Sequence, residues 1–144
     1  MIKTKSLINI FIKNNSNFFT GVPDSVLKEL SIYLQNKSKK NHIIASNEGS
    51  AISIGIGHYL STKKIPCIYM QNSGLGNAIN PILSLCDNDV YSIPMLIMIG
   101  WRGEPGLIDE PQHVKQGKIQ LNLLNTLEIP YKIISKDDEQ YKSQ

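Results

Sequence analysis

The stretch His42–Met70, HIIASNEGSAISIGIGHYLSTKKIPCIYM, determines the fold class of this chain. It opens with an apolar run from His42 to Ser46, continues as a helical pattern from Asn47 to Thr62, and closes with a second apolar run, Pro66 to Met70. Apolar runs without polar alternation are typical of strands buried on both faces, and strands joined by a helix are typical of a parallel sheet. The stretch therefore predicts a strand, a helix and a parallel strand.

The same alternation continues in both directions along the chain. Towards the N-terminus, a strand at Phe18 to Thr20 precedes a helix, and towards the C-terminus two further strands and helices follow. The predicted fold class is α/β, a three-layer parallel sheet with helices on both faces. The additional predicted elements are an amphipathic helix within Met1 to Ile12, helices carrying Val26, Leu27, Leu30 and Leu34, at Gly74 to Cys86 and at Gln112 to Leu127, and strands at Pro94 to Gly100 and Tyr131 to Ser135.

Composition limits the classes of protein to which the chain can belong. With 144 residues, 41% of them apolar, it suits one domain, assigned to residues 1–135, followed by a polar tail at 136–144 that we expect to be a truncated linker. A net charge of +3 is too mild to indicate nucleic-acid binding. No apolar run reaches the ~18 residues that a membrane span requires, and no secretion signal is present, so we expect a cytoplasmic protein. Cys67 and Cys86 lack a ligand spacing and are expected to be small buried hydrophobes.

Polar residues follow each predicted strand, where open parallel sheets bind their ligands. Four segments stand at these positions: Gly21 to Asp24, Asn47 to Ser50, Gln71 to Asn77, and Gly100 to Pro105. The sequence therefore predicts a binding site at the carboxyl edge of the sheet.

Two carboxylates in these segments each allow two interpretations. Glu48 opens a helix, where an acid in the first turn stabilises the helix dipole by roughly 0.3–1 kcal/mol, with Asn47 or Ser46 as the cap. Asp24 is equally a natural cap for the helix after it. Either side chain is also placed to present a carboxylate at the edge of the sheet, and the residues alone do not decide between the two roles.

The segment Trp101–Lys115 is long for a connection and rich in charge, which is typical of functional loops. Arg102 is suited to bind a phosphonate, sulfonate or carboxylate, and Lys115 to add a point charge. His113 is suited to proton transfer near neutral pH. The alternative is a solvated loop with a surface histidine. Glu110 and His113 alone make a poor metal site, so no metal ligands are assigned in this chain.

Five ordered blocks of the sequence together form a recognisable pattern. The blocks are FTGVPD at 19–24, NEGSA at 47–51, YMQNSGLGNA at 69–78, IGWRGEPG at 99–106 and DEPQHVKQG at 109–117. They resemble a known enzyme family, the phosphonopyruvate decarboxylases, and the resemblance runs from about Phe18 to Tyr131. This family belongs to the thiamine diphosphate-dependent 2-oxo acid decarboxylases, and sulfopyruvate decarboxylase is a near relative. The resemblance implies that residues 1–135 form a thiamine diphosphate pyrimidine-binding domain.

The resemblance also implies roles for individual residues. Glu48 matches the glutamate that hydrogen-bonds the aminopyrimidine ring of the cofactor and favours its imino tautomer, while Asp24 and His113 match proton-transfer positions. Charge leads us to expect that the anionic end of the substrate is bound by Arg102 and Lys115. The remaining expected contacts are Val22, Pro23, Gln71, Asn72 and Ser73 for the cofactor, and Gln112 for the substrate.

One family motif is missing. Such enzymes hold the diphosphate through Mg²⁺ in a second domain marked by Gly-Asp-Gly, and this tripeptide does not occur here. We therefore expect a diphosphate-binding domain or subunit as partner, in a homo- or hetero-oligomer, with the Mg²⁺ ligands in that partner. The expected reaction is decarboxylation of 3-phosphonopyruvate to phosphonoacetaldehyde and carbon dioxide. The alternatives are an alpha subunit of sulfopyruvate decarboxylase, and a non-catalytic assembly or regulatory subunit.

Overall fold

The computed structural model describes residues 4–37 and 39–134. Four strands alternate with helices along the chain. The helices are α1 (Thr4–Lys13), α2 (Lys28–Lys37), α3 (Glu48–Thr62), α4 (Leu75–Pro81) and α5 (Pro111–Thr126), and the strands are β1 (Phe18–Gly21), β2 (His42–Ile44), β3 (Pro66–Gln71) and β4 (Leu96–Gly100).

All four strands pair in parallel, in the order β2-β1-β3-β4. Gly21 at the end of β1 is in register with Ile44 of β2 and with Tyr69 of β3. On the other side of β3, Gln71 is in register with Gly100, the last residue of β4. The carboxyl ends of the four strands therefore lie along one edge, and the loops that follow them emerge side by side.

The side chains of β3 separate two hydrophobic cores. Ile68 and Met70 point towards α3, α4 and α5, whereas Cys67 and Tyr69 point towards α1 and α2. All four are fully buried, which explains why β3 is an uninterrupted apolar run. This arrangement confirms the predicted three-layer α/β fold, with helices on both faces of the sheet.

The fourth helix is less regular than its sequence predicts. A 3₁₀ turn at Asn72–Gly74 leads into α4, and the chain continues from Ile82 to Cys86 with π-type hydrogen bonds. Pro81 lies at the transition and has no N–H to donate, so the regular ladder cannot pass through it unchanged. The predicted helix Gly74 to Cys86 is therefore present as three consecutive helical types.

One predicted helix boundary and one predicted strand are wrong. The second helix begins at Lys28, so Val26 and Leu27 lie in the turn before it. The predicted strand Tyr131 to Ser135 is not formed over residues 131–134, which are exposed coil, and Ser135 lies outside the described residues. Ile133 and Ile134 have the side chains of a strand, but no described segment pairs with them.

None of the helices in residues 4–37 and 39–134 is long and apolar enough to cross a membrane.

The two cysteines differ in burial. Cys67 is fully buried, as predicted, and burial raises the pKa of its thiol. Cys86 is only half-buried, and both cysteines are free.

Candidate functional site

The predicted site residues lie on four loops at the carboxyl edge of the sheet. Glu48 follows β2 and Asp24 follows β1, while Asn72 and Arg102 follow β3 and β4. Because β1 and β3 are the central strands, the Asp24 loop and the Asn72 turn lie between the two others. The sequence-based expectation that these segments meet at one edge is confirmed by the strand order and register.

The first part of the site, the Glu48 corner, consists of Glu48, Gly74 and Asn77. Asn47 caps α3 by accepting a hydrogen bond from the Ser50 N–H at 2.9 Å, so Glu48 is the first helical residue. The Asn77 side-chain amide donates to Glu48 Oε2 at 2.8 Å. Glu48 Oε1 has no donor among the described residues and remains available to a ligand.

Gly74 makes room for the Glu48 carboxylate. A Cβ atom on residue 74 would overlap the carboxyl group of Glu48. Gly49 in α3 lies close to α4, because a Cβ atom on Gly49 would lie 3.0 Å from the carbonyl oxygen of Asn77. Small residues at these two positions allow α3 and α4 to approach and place Asn77 against Glu48.

The second part of the site, the Arg102 corner, consists of Asp24, Ser25, Asn72, Arg102 and Asp109. Asp24 Oδ1 accepts a hydrogen bond from the Val26 N–H at 2.6 Å. Its Oδ2 is buried without a hydrogen-bond partner among residues 4–37 and 39–134. Burial raises the pKa of Asp24, and the positive charge of Arg102 opposes that shift. Asp24 is therefore partly desolvated and keeps its proton to a higher pH than an exposed aspartate does.

Arg102 is engaged by neighbouring side chains. Its Nε donates to Asp109 Oδ2 at 2.8 Å, its Nη2 pairs with Asp109 Oδ1, and its Nη1 donates to Ser25 Oγ at 2.8 Å. The Arg102 side chain is 23% exposed and that of Asp109 13%. The guanidinium predicted to bind a substrate anion is thus already paired with a carboxylate.

Asn72 connects β3 to the loop after β4. Its side-chain amide donates to the Arg102 carbonyl at 2.8 Å, and its side-chain oxygen accepts from the Arg102 N–H at 3.2 Å. Next to it, the Gln71 amide donates to Ser73 Oγ at 2.6 Å. Asn72 is buried and its side-chain nitrogen and oxygen each have a hydrogen-bond partner, whereas Gln71 and Ser73 are partly exposed beside it.

The remaining predicted residues lie on α5 and in the loop after β1. His113 is half-buried in the first turn of the helix, whereas Gln112 and Lys115 are exposed. Lys115 and Ser73 border one cleft between the turn after β3 and α5. Val22 is anchored by a hydrogen bond from its N–H to the Tyr69 carbonyl at 3.1 Å, and Pro23 next to it is exposed. The roles of all these residues stay predictions.

The described part of the chain contains no group of three or more histidine, cysteine, aspartate or glutamate side chains that could hold a metal ion.

The Glu48 corner can instead accept a hydrogen bond from a ligand. The free carboxylate oxygen of Glu48, whose other oxygen is bound by the Asn77 amide, is a suitable acceptor for a protonated ring nitrogen. The described residues thus fit the pyrimidine end of thiamine diphosphate.

The chain matches a known family along most of its length. The model for the thiamine pyrophosphate enzyme, N-terminal TPP binding domain, matches residues 4–124. The chain belongs to this family. Thiamine pyrophosphate is another name for thiamine diphosphate, so the predicted fold, cofactor and family are confirmed.

Curated relatives of this TPP-enzyme domain are decarboxylases. The chain is 37% identical over 142 residues to the sulfopyruvate decarboxylase subunit alpha of Methanococcus maripaludis, covering 99% of this chain and 83% of that one. It is 35% identical over 114 residues to the phosphonopyruvate decarboxylase of Streptomyces viridochromogenes, covering 79% of this chain and 28% of that one. These relatives confirm membership of a group of carboxy-lyases.

A solved structure supports the fold. Benzoylformate decarboxylase from Polynucleobacter necessarius superimposes with a TM-score of 0.59 at 18% identity, over 94% of this chain and 32% of that one. The TPP-enzyme domain described here thus spans about a third of that chain and most of the alpha subunit.

Sequence reasoning missed residues that complete both corners. Asn77 lies in the quoted YMQNSGLGNA block but has no predicted role, although a side-chain amide at the end of a glycine-rich segment is well placed to face the next loop. Asp109 and Ser25 were likewise unassigned. A charge count of the 101–115 segment signals Asp109 as a partner for Arg102, but no sequence pattern connects Ser25 to that segment.

Proposed function

We propose that this chain supplies the pyrimidine-binding half of the active site of a thiamine diphosphate-dependent decarboxylase. Its substrate is a 2-oxo acid with a tetrahedral anion on the neighbouring carbon. The observation that carries the proposal is the Glu48 corner, where a carboxylate at the carboxyl edge has one oxygen fixed by Asn77 and the other free.

The free oxygen of Glu48 is placed to accept a hydrogen bond from the cofactor's ring nitrogen. When bound, thiamine diphosphate supplies a carbon nucleophile and an electron sink for the bond to the departing carbon dioxide. The proposed role of Glu48 is to keep a proton on the pyrimidine ring nitrogen of that cofactor. Gly74 and Asn77 keep the carboxylate in one orientation, which limits the reorganisation needed during the reaction.

Asp24 and His113 are the proposed proton carriers on the substrate side. Burial raises the pKa of Asp24, so its carboxyl group holds a proton at a higher pH than an exposed aspartate does. His113 lies in the first turn of α5, where its backbone packs against Gly103 of the loop after β4. The two residues are proposed to supply the proton for the carbon from which carbon dioxide departs.

The first candidate substrate is 3-phosphonopyruvate, which would yield phosphonoacetaldehyde and carbon dioxide. The second is sulfopyruvate, with this chain as an alpha-type subunit, and it is supported by the coverage of 83% of the Methanococcus alpha subunit. Either substrate carries a tetrahedral anion that requires a cation. Lys115 is exposed beside Ser73, without an ion pair in the described part of the chain, and is available for this role.

The diphosphate end of the cofactor requires a second domain. We propose a diphosphate-binding partner with its own Mg²⁺ ligands, either a separate subunit or a further domain of the native polypeptide. The mass of the native protein from its source, compared with 16.1 kDa for these residues, separates the two: a mass of 16.1 kDa indicates a separate subunit, and more than twice that mass a single long chain.

The test is a competition assay on the complete enzyme. The native protein is isolated with its partner and supplied with thiamine diphosphate, Mg²⁺, and 3-phosphonopyruvate and sulfopyruvate together, and each aldehyde product is measured. We expect carbon dioxide release with a clear preference for one substrate. Release from neither would contradict the proposed activity and favour a non-catalytic assembly subunit.

A further inference from the structure

The Arg102 side chain has all three of its nitrogens in use. Nε and Nη2 bind the Asp109 carboxylate in a forked arrangement, and Nη1 donates to Ser25 Oγ. A forked arginine-carboxylate pair is stronger and more directional than a single hydrogen bond. Two N–H groups, one on Nη1 and one on Nη2, are not used in these bonds, but the positive charge of the guanidinium is already matched by the Asp109 carboxylate.

Asp109 is held by the backbone as well as by Arg102. It accepts hydrogen bonds from the Gly103 N–H and the Glu110 N–H, each at 2.7 Å. The hydrogen bond to Arg102, together with these two backbone contacts, holds the pKa of Asp109 well below the usual range for aspartate. The carboxylate therefore stays ionised and joins the two ends of the 102–110 loop.

The same loop is fitted against α5. Gly103 has φ +67°, and a Cβ atom there would overlap the carbonyl oxygen of His113. A Cβ on Gly117 would overlap the carbonyl oxygen of Gly103. Trp101 Nε1 also donates to the Gly117 carbonyl at 3.0 Å. The position of the loop thus fixes the helix that carries His113.

We propose that Arg102 and Asp109 are a positioning pair, which keeps the loop bearing Asp24 at a fixed spacing from the helix bearing His113, and that Arg102 is not a substrate ligand. Arg102 contacts the loop after β1 through Ser25, the neighbour of Asp24. Asp109 holds the loop that leads into α5, the helix that carries His113. The catalytic consequence rests on the proposed function. The pair replaces the sequence-based expectation for Arg102 and leaves Lys115 as the cation for the substrate.

The charge of Arg102 adds an electrostatic effect. Asp24 is destabilised as a carboxylate by burial and stabilised by the charge of Arg102. Asp109, Asp24 and Glu110 are the acidic groups that interact with Arg102. Loss of the arginine charge therefore raises the pKa of Asp24 further, whereas loss of the Asp109 charge does not.

The kinetic test compares Arg102→Gln, Arg102→Lys and Asp109→Asn in the complete enzyme. Because both Arg102→Gln and Asp109→Asn break the pair, each should lower kcat by about 10- to 100-fold, with KM changed by less than about threefold. Arg102→Lys keeps the charge but loses the fork, so it should restore kcat only in part. Lys118→Gln, an exposed change on α5, is the control and should alter neither constant.

A substrate ligand would give a different result. Loss of a charged hydrogen bond to the substrate would raise KM about 10- to 150-fold in Arg102→Gln. Asp109→Asn, which leaves the arginine in place and frees it, would not lower kcat. That combination would overturn the positioning role.

A second measurement needs no turnover. Backbone hydrogen exchange of Gly103 and Glu110, and the NMR titration of the Asp24 carboxyl, are followed in the full chain and the same variants. Asp109→Asn should speed exchange at both amides at least tenfold, and Arg102→Gln should raise the pKa of Asp24 while Arg102→Lys should not. Unchanged exchange in Asp109→Asn would overturn the pair. An inactive wild-type enzyme with the expected exchange would instead overturn the proposed function and leave the structural pairing standing.

Discussion

The Glu48 corner and the Arg102 corner lie on the same sheet edge but are constructed differently. Glu48 has one side-chain partner, Asn77, and a free oxygen. Arg102 is bound through its side chain to Asp109 and Ser25 and through its backbone to Asn72. The group proposed to receive the cofactor is left partly unsatisfied, whereas the group proposed to hold its neighbours in place has every side-chain nitrogen hydrogen-bonded within the protein.

The difference extends to the loops that carry the two residues. Glu48 is the first residue of a 15-residue helix capped by Asn47, so its backbone is fixed by regular structure. Arg102 lies in an irregular loop, and such loops keep a single conformation only where side chains and close backbone contacts hold them. The number of partners at each corner therefore reflects how much order the local secondary structure already provides.

The largest effect expected is for Glu48→Gln. If the Glu48 corner controls the proton on the cofactor's pyrimidine side, this change should lower kcat by about 10²- to 10⁴-fold. The cause is chemical, because the amide keeps the shape of the carboxylate but loses its charge and basicity. Carbon dioxide release by the complete enzyme is the measurement, and circular dichroism should show an unchanged fold.

Glu29→Gln is the matched control for that change. Glu29 is an exposed residue of α2 with only a long contact to Thr4 Oγ1 at 3.5 Å, so activity should be unaffected. Near-normal turnover by Glu48→Gln would remove the functional contrast between the two corners.

The next effect tests the orientation of Glu48 without altering its chemistry. In Gly74→Ala the new methyl group would overlap the Glu48 carboxyl group, so the side chain must move away from Asn77. A displacement of about 1 Å in a catalytic group can cost roughly 100-fold in rate. Steady-state kcat is the measurement.

Gly57→Ala provides the comparison for Gly74→Ala. Gly57 lies on the exposed side of α3 with nothing within 4 Å of an added Cβ. This change should leave kcat unchanged and stabilise the helix by up to about 1 kcal/mol. Equal loss of activity in both variants would indicate a general effect of glycine replacement.

A smaller effect concerns stability at the Arg102 corner. The pKa of Asp109 is lowered in the folded protein, so its contribution is present above the unfolded value of 3.8 and is lost as pH falls through the folded pKa. Asp109→Asn should therefore lower Tm by several degrees at pH 7, and by progressively less in acid. Asp89→Asn, an exposed change in the turn before β4, is the control for thermal scans across pH, and a pH-independent difference between Asp109→Asn and wild type would contradict the ion pair.

The smallest effect has the opposite sign. The folded pKa of Asp24 is raised, so its neutral form stabilises the fold below 3.8, and this stability is lost as pH rises through the folded pKa. Asp24→Asn is always neutral and keeps an acceptor for the Val26 N–H. We expect a slightly higher Tm than wild type at pH 7 and no difference near pH 3. A lower Tm at pH 7 would indicate that attraction to Arg102 outweighs the burial of Asp24.

The sequence predicts the positions of the site residues better than their partners. Parallel strands place their following loops at one edge, so Asp24, Glu48 and Arg102 could be assigned to the same region from periodicity alone. The contact of Arg102 Nη1 with Ser25, 77 positions apart, depends on the packed geometry of two loops. No local pattern encodes such a contact, and for this reason the free cation expected at Arg102 is instead a paired one.

Local patterns were also insufficient at the chain's last apolar run. Tyr131 to Ile134 have the composition of a strand, but a strand forms only where a neighbour supplies hydrogen bonds. These four residues are exposed, without strand pairing in the described part of the chain. Composition indicates what a segment is suited to do, and pairing decides whether it does so.

The side chain of Asn72 acts as a substitute peptide group. Gln71 and Gly100 form the last registered pair of β3 and β4, and two positions further along, the Asn72 amide offers Arg102 one donor and one acceptor, as a main-chain unit would. The hydrogen bonding between β3 and β4 thus extends by one further pair of bonds, after the backbone of β3 has entered its 3₁₀ turn. As a result, the backbone at Arg102 is hydrogen-bonded as in a sheet, two residues beyond the end of β4.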